Sequence, residues 1–311
     1  MSAKRLVILG GTGFVGSYLV PRLAMEGHRI TLLSRNREKR RALAVVPGVE
    51  VRSADVYDGN VLRREFEGAD AVIHMIGVLH GTRRHPLQEI HVELPRRVIA
   101  ACQAAGVPRL HLMSSLKAGQ GLSRYLKTRG EAESVVRHAG LDWTIYQPSV
   151  IFGANDSLVS RFAALLRTMP ALPLARAGAR LAPTYAGDVA EAIARCVADD
   201  AASADRIFEL YGPEVLTLGD IVRAIRDTLG LRTPIVPLPD ALGRLQARAA
   251  ELLPGKPFSY DNFLTLRTDS VGKQDGYAAL GIRPQAFTPW LPALLQGSQR
   301  QRRLDRYRGT R

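Results

Sequence analysis

The sequence predicts an α/β protein, a doubly wound parallel sheet followed by a smaller C-terminal lobe. Apolar strand-like runs alternate with helical stretches through the first half of the 311 residues. A glycine-rich turn joins the first such strand to the first helix, and after Pro148 the chain becomes punctuated by Pro170, Pro173 and Pro183. Strand and helix alternating at this spacing call for parallel pairing, because a parallel neighbour needs a long crossover and a helix supplies it.

Residues 5–9 read as a buried strand, and a helix follows from 14 to about 26. Within that helix Pro21 cannot donate to the Ser17 carbonyl and should bend the axis. Residues 28–34, 49–52 and 71–76 form the next three strands, with helical connectors over 37–45 and 61–67. A helix over 94–105, a strand over 109–113, a helix over 124–138 and a strand over 143–147 continue the pattern. Gly106 and Gly140 stand where helix ends want a left-handed residue. The sheet domain thus spans 1–150, and 184–212 return to it through a helix at 188–198 and a strand at 207–210.

The lobe takes 151–183 and 213–298. It holds a helix near 159–168, a second at 218–229 opened by Thr217 and closed by Gly230, and a third over 241–253. In the third, Leu242, Leu245, Ala249 and Leu252 share one face beside Arg244 and Arg248, a stripe expected to pack on the lobe, with a membrane surface as the alternative. Residues 299–311 form a basic tail.

Gly10, Gly13 and Gly16 form GxxGxxG between the first strand and the first helix. In that context the glycines have a purpose. Backbone amides can approach a pyrophosphate closely, and the positive end of the helix faces its charge. The expected loop contacts are Gly10, Thr12, Gly13, Phe14, Val15 and Gly16, and the ligand class is a dinucleotide. An acid about twenty residues past such glycines would bind a ribose 2′-hydroxyl and repel a 2′-phosphate. The second strand ends instead in Ser34, Arg35, Asn36 and Arg37, with Lys39 nearby. This favours NADP(H), with NAD(H) as the alternative. Asp55 and Val56, ending the third strand, are expected at the adenine edge.

Composition narrows the remaining classes. The longest apolar stretches fall well short of the ~20 residues that span a bilayer, and the strand beginning at Arg5 leaves no room for a cleaved leader, so a cytoplasmic chain is expected. The two cysteines, Cys102 and Cys196, lie in alanine-rich helical text and read as buried thiols, and the seven histidines lack ligand spacing, so no metal is expected. The net charge of +14 is concentrated over 35–41 and in the tail, where six arginines face Asp305 alone. Such a field suits phosphates, anionic lipid or an acidic protein face. Nucleic acid is disfavoured, because Tyr307 is the tail's one aromatic and there is no stacking platform.

The glycine loop, Ala54-Asp55-Val56, the turn His74-Met75-Ile76-Gly77, and Tyr125-Leu126-Lys127-Thr128-Arg129 followed by Glu131 and Glu133 together resemble the short-chain dehydrogenase/reductase superfamily, in its extended and atypical branch. Ser123 to Leu126, Gln147 to Gly153, Ala186 to Ala190 and Leu266 to Val271 are similar to the subgroup of the nucleotide-binding accessory subunit of mitochondrial complex I and its bacterial relatives. The resemblance implies a Rossmann-type sheet, with further cofactor contacts at Ile76, Gly77, Ser114, Tyr125, Arg129, Pro148, Ser149 and Val150. In catalytic members a tyrosine acts as acid/base and a lysine four residues later shares its helix face. Here Tyr125 is followed at that spacing by Arg129, which keeps the charge but cannot release a proton. Lys127, two residues on, lies about 200° around the helix. Ser115 is the candidate substrate-polarising hydroxyl. His91 occupies a position where the family keeps asparagine, and is read as a helix-start residue satisfied by backbone. Tyr185 and Asp188 resemble the motif that returns the chain from the lobe.

Two functional readings stay open. One is a nucleotide-binding accessory or scaffold protein linked to a membrane-bound respiratory or quinone-related assembly, peripheral to the inner membrane. The other is an epimerase, dehydratase or reductase acting on a nucleotide-sugar, quinone or lipid precursor through Tyr125. The sequence leaves the oligomeric state unread.

Overall fold

The computed structural model describes residues 3–35, 43, 45–82, 84–154, 156–251 and 258–296. The expected connector over 37–45 and the basic tail therefore lie almost wholly outside the described residues. The chain divides into two compact units: Met1–Pro148 with Ala186–Leu210 and Lys273–Arg283, and Ser149–Tyr185 with Tyr211–Gly272 and Pro284–Arg311.

The first unit is built on β1 (Arg5–Leu9), β2 (Arg29–Ser34), β3 (Val49–Ser53), β4 (Ala71–His74), β5 (Arg109–Met113), β6 (Asp142–Pro148) and the strand Arg206–Leu210. These form one seven-stranded sheet, with β3, β2, β1, β4, β5, β6 and Arg206–Leu210 as successive neighbours. Every pairing is parallel. Alternate residues point to opposite faces, so Leu6 and Ile8 join one core and Val7 and Leu9 the other. Helices α1 (Gly16–Met25) and Ala186–Ala198 cover the first face. Helices α2 (Gly59–Phe66), α3 (Leu94–Ala105) and α4 (Arg124–Arg137) cover the second. Because both faces are buried, the strands are continuously apolar rather than alternating.

From β1 the chain works outward through β2 and β3, then returns to the other side of β1 to lay down β4, β5 and β6. The crevice at the strand C-termini beside β1 and β4 is where such sheets take ligands. The fourth strand stops at His74 rather than running to 76; just past it the Met75 amide still donates to the Leu9 carbonyl at 2.8 Å, and Gly10 then turns β1 away at φ 81°. Helix α1 carries through Pro21 to Met25. A π-helical turn at Glu89–Glu93 leads into α3, which ends at Gly106 with φ 70°, the left-handed cap its position suggests.

Lys273–Arg283, expected in the lobe, packs with the sheet unit instead. Glu209 on the edge strand accepts the amides of Lys273 at 2.5 Å and Gln274 at 2.9 Å, and Tyr277 is completely buried in the core beneath. A non-local return of so few residues leaves no periodicity to read in advance.

The second unit has its own core around Phe152, Leu166, Leu172, Ile221 and Phe287. Its helix Leu218–Thr228 opens with a capping box between Thr217 and Asp220. Ser149 binds the hydroxyl and carbonyl of Ser270 here, and Val150 packs against this core. The helix Asp240–Ala250 is reversed from expectation. It buries Gly243 and Ala247 and leaves Leu242 and Leu245 exposed, because the small side is what fits against Ala175 and Phe263. Among the described residues no helix is long and apolar enough to cross a membrane.

If Lys273–Arg283 helps hold the sheet unit together, Tyr277→Ala should cost about 3–5 kcal/mol in urea unfolding of that unit, the range for emptying a buried aromatic site. An unchanged midpoint would mean that the segment only rests on the edge strand.

Candidate functional site

The turn after β1 is set by steric limits. Gly10 adopts φ 81°, and a methyl there would fall 2.9 Å from the Ile76 nitrogen, while one on Gly16 would fall 2.1 Å from the Gly11 carbonyl oxygen. The turn closes on itself, with Gly13 donating to the Gly10 carbonyl at 2.9 Å and Ser17 to the Gly13 carbonyl at 3.1 Å. Among the described residues no side chain caps α1, and its first turn carries no acid. The positive end of its dipole faces a cradle formed by Thr12, Gly13, Phe14 and Val15, in which the Gly13 amide is spent on the turn and those of Thr12, Phe14 and Val15 are the ones placed for an anion.

At the neighbouring strand tips, Ser34 ends β2 in register with Ser53, and the Ala54 amide donates to the Ser34 carbonyl at 3.1 Å. Arg35 follows, exposed, while Asn36, Arg37 and Lys39 fall outside the described residues. The charge of Arg35 reaches the Tyr57 phenol, whose pKa burial nonetheless raises. Asp55 is exposed and turns its carboxylate back to the Tyr57 amide at 3.0 Å, while Val56 beside it is buried. Tyr57 in turn stacks on His85 at 4.4 Å, with the Arg97 guanidinium 5.9 Å from its ring centre. The strand tips therefore offer a phosphate a basic, aromatic margin with one acid already bound to backbone.

Across the crevice, α4 starts at Ser123, whose hydroxyl caps the Leu126 amide. Tyr125, Arg129 and Glu133 follow at intervals of four, which sets them on one helix face. Arg129 is only 5 % exposed. Its Nη1 donates to the Met113 carbonyl at 3.0 Å, and a methyl on Gly77 would fall 1.8 Å from its Nη2. The guanidinium carbon lies 5.5 Å from the Tyr125 ring centre, within cation–π range. Its Nε is buried without a partner among the described residues.

Glu133 gathers the ends of β5 and β6. It accepts the Ser114 hydroxyl at 2.5 Å and the Gln147 amide at 2.8 and 2.9 Å. Burial raises its pKa above the usual carboxylate range, against the pull of those donors. Ser114 is thus turned into α4, whereas the buried hydroxyl of its neighbour Ser115 has no partner among the described residues. Pro148 ends β6 and accepts the Leu116 amide at 2.9 Å.

His91 is held by more than backbone. Its Nε2 accepts the Val78 amide at 3.4 Å, and its Nδ1 lies 2.9 Å from the Thr128 hydroxyl. With Nε2 accepting, the ring proton sits on Nδ1 and points to Thr128. The ring also meets Tyr125 edge-on at 5.6 Å. Burial, then the Arg129 charge and His74, brings its pKa down to about 2, and burial followed by Arg129 brings His74 to about 3. Both imidazoles are neutral near pH 7, so Arg129 is the positive charge between them and the Glu133 carboxyl one turn on.

These residues fit a dinucleotide: an uncapped helix end for the pyrophosphate, basic strand tips for the adenosine side, and the unpartnered Arg129 Nε and Ser115 Oγ at the other end. Proton transfer is less well provided. Arg129 supplies charge but cannot exchange a proton, and it is anchored to the Met113 carbonyl. Sequence reasoning gave Glu133, Gln147, Thr128 and Tyr57 no role. The signal for Glu133 was its spacing of eight from Tyr125; the others depend on contacts between distant strands and loops. Among the described residues no three His, Cys, Asp or Glu side chains are grouped to hold a metal, and Cys102 and Cys196 are buried.

Residues 10–200 match a family model described as NAD(P)H-binding. The chain is 26% identical over 280 residues to the NADH dehydrogenase [ubiquinone] 1 alpha subcomplex subunit 9, mitochondrial, of Arabidopsis thaliana, covering 85% of this chain and 70% of the plant protein. It is 29% identical over 238 residues to a ceramide reductase of Caulobacter vibrioides, covering 76% of this chain and 74% of that protein. Among solved structures, an NADPH-dependent quinone oxidoreductase from Escherichia coli, complexed with NADPH, superimposes with a TM-score of 0.75 at 21% identity, covering 93% of this chain and 99% of that one. Glycine turn, parallel sheet and family match agree, and the chain belongs to the NAD(P)H-binding family, as an atypical short-chain dehydrogenase/reductase similar to the complex I accessory subunit.

Proposed function

We propose that the chain holds NADP(H) as a bound ligand and serves as an accessory or scaffold protein of a membrane-bound respiratory or quinone-related assembly. The observation that carries this reading is the treatment of Arg129. The position that needs a lysine for proton relay holds a buried guanidinium tied to the Met113 carbonyl, while the glycine turn that binds pyrophosphate is intact. Ligand binding is supported and the acid/base pair is weakened. The similarity to a complex I subunit supplies the class of assembly. The preference for NADP(H) over NAD(H) rests on Ser34 and Arg35 at the tip of β2, where an acid would select NAD(H).

A second reading, a reductase of a lipid or quinone carbonyl, is favoured by a separate observation. The Ser115 hydroxyl is buried and has no partner among the described residues, as a group awaiting a substrate carbonyl would be, and one relative is named a ceramide reductase. Tyr125 would then act as the acid, with Arg129 stabilising its phenolate.

Arg35→Ala should weaken NADPH binding by about ten- to a hundredfold, the cost of a charge-assisted hydrogen bond, and leave NADH nearly unchanged in parallel titrations. Equal losses for both cofactors would remove the NADP(H) assignment. Assays of NADPH oxidation with quinones, ceramide-type ketones and keto-sugars separate the two readings. The accessory role expects saturable NADPH binding with no turnover above background, in wild type as in Tyr125→Phe. Turnover that Tyr125→Phe abolishes would make the protein an enzyme.

A further inference from the structure

The helix Asp240–Ala250 carries its large apolar side chains on the outside. A surface helix ordinarily turns its leucines to the core and its small or charged residues to water. Here Gly243 and Ala247 are buried, and a methyl on Gly243 would fall 3.1 Å from both the Ala175 Cβ and the Phe263 ring. Leu242 is 52% exposed and Leu245 64% exposed, with Ala241 and Ala249 exposed beside them on the same stripe. Val236, on the strand Ile235–Leu238 that leads into the helix, is 46% exposed.

The charges beside this stripe are basic. Arg244 and Arg248 flank it at a spacing of four and are exposed, and Arg248 lies over the Tyr260 ring at 5.3 Å. The acids are already engaged. Asp240 pairs with Arg176 at 2.9 Å, with Arg267 and Arg244 also acting on it, and Glu251 accepts the Tyr260 amide at 2.8 Å. What faces outward is a short row of leucine and alanine with arginines along one side. This is the pattern of a helix that lies in a headgroup layer, its apolar side toward the acyl chains and its cations toward phosphates. The overall charge of +14 draws the chain to the same kind of surface.

We propose that the exposed face of the helix Asp240–Ala250 seats on an anionic bilayer surface, with Leu242 and Leu245 inserted and Arg244 and Arg248 on lipid phosphates. The site uses none of the cofactor residues, so it stands whether or not the protein turns over a substrate.

The test is vesicle binding by the full chain. Wild type should bind phosphatidylglycerol–phosphatidylcholine vesicles and not pure phosphatidylcholine, and the double change Leu242→Glu with Leu245→Glu should weaken that binding by about tenfold or more. Both leucines are exposed, so the variant should keep its circular dichroism and melting temperature. Leu245→Trp should add a fluorescence component that shifts to the blue with anionic vesicles and persists at salt concentrations that screen the tail's charge. The double variant binding as tightly as wild type, or the new tryptophan failing to shift, would overturn the proposal. So would a face whose glutamate variants break up a dimer and leave vesicle binding intact, since a second copy would then be its occupant.

Discussion

The glycine turn of the first unit depends on one steric constraint, a left-handed Gly10 at a point where any side chain would strike the backbone of Met75 and Ile76. That turn ends β1 and leads into α1, whose N-terminus, with no side-chain cap among the described residues, opens at the crevice beside β1 and β4. A side chain at Gly10 would push apart the strands on either side of the point where the sheet order reverses. An open helix end is a modest electrostatic feature, worth roughly 0.3–1 kcal/mol per neighbouring charge. It becomes effective because the backbone around it is held rigidly by sheet and helix packing.

The opposite wall of the crevice is held by charge and hydrogen bonds. Arg129 would be costly to bury alone, and the chain meets part of that cost with the Met113 carbonyl and the Tyr125 ring. Glu133, one turn further on, is occupied with Ser114 and Gln147 and joins α4 to the ends of β5 and β6. His91 joins the Val78 loop to Thr128 on the same helix. The result is a stiff polar wall with one fixed cation. It suits holding a dinucleotide in place better than passing protons along it, which is why the accessory reading precedes the enzymatic one.

Much of this was legible in the amino-acid order. Strands buried on both faces announce themselves as runs such as Leu6-Val7-Ile8-Leu9, and the glycines between strand and helix marked the tight turn that joins them. The basic tip at Ser34 and Arg35, and the odd pairing of Tyr125 with Arg129, were equally plain. What stayed hidden was whatever depends on partners distant in sequence. Nothing local in Lys273–Arg283 tells that Tyr277 fills the core of the sheet unit. Leu242 and Leu245 give a correct helix but not which side faces in, because Gly243 and Ala247 offer a closer fit to Ala175 and Phe263. The direction of the Ser114 hydroxyl likewise follows from Glu133, nineteen residues later.

The central claim is that the amides opening α1 receive the pyrophosphate of a nicotinamide dinucleotide. Calorimetric titration of NADPH into wild type and Gly13→Asp, the latter carrying a carboxylate in the cradle, addresses it directly. The account predicts saturable binding by wild type and an affinity lower by about tenfold or more in the variant, which keeps the circular dichroism of the folded protein although its Cβ lies 3.1 Å from the Gly10 carbonyl oxygen. Equal affinity in the two proteins, or no binding by wild type, would contradict it.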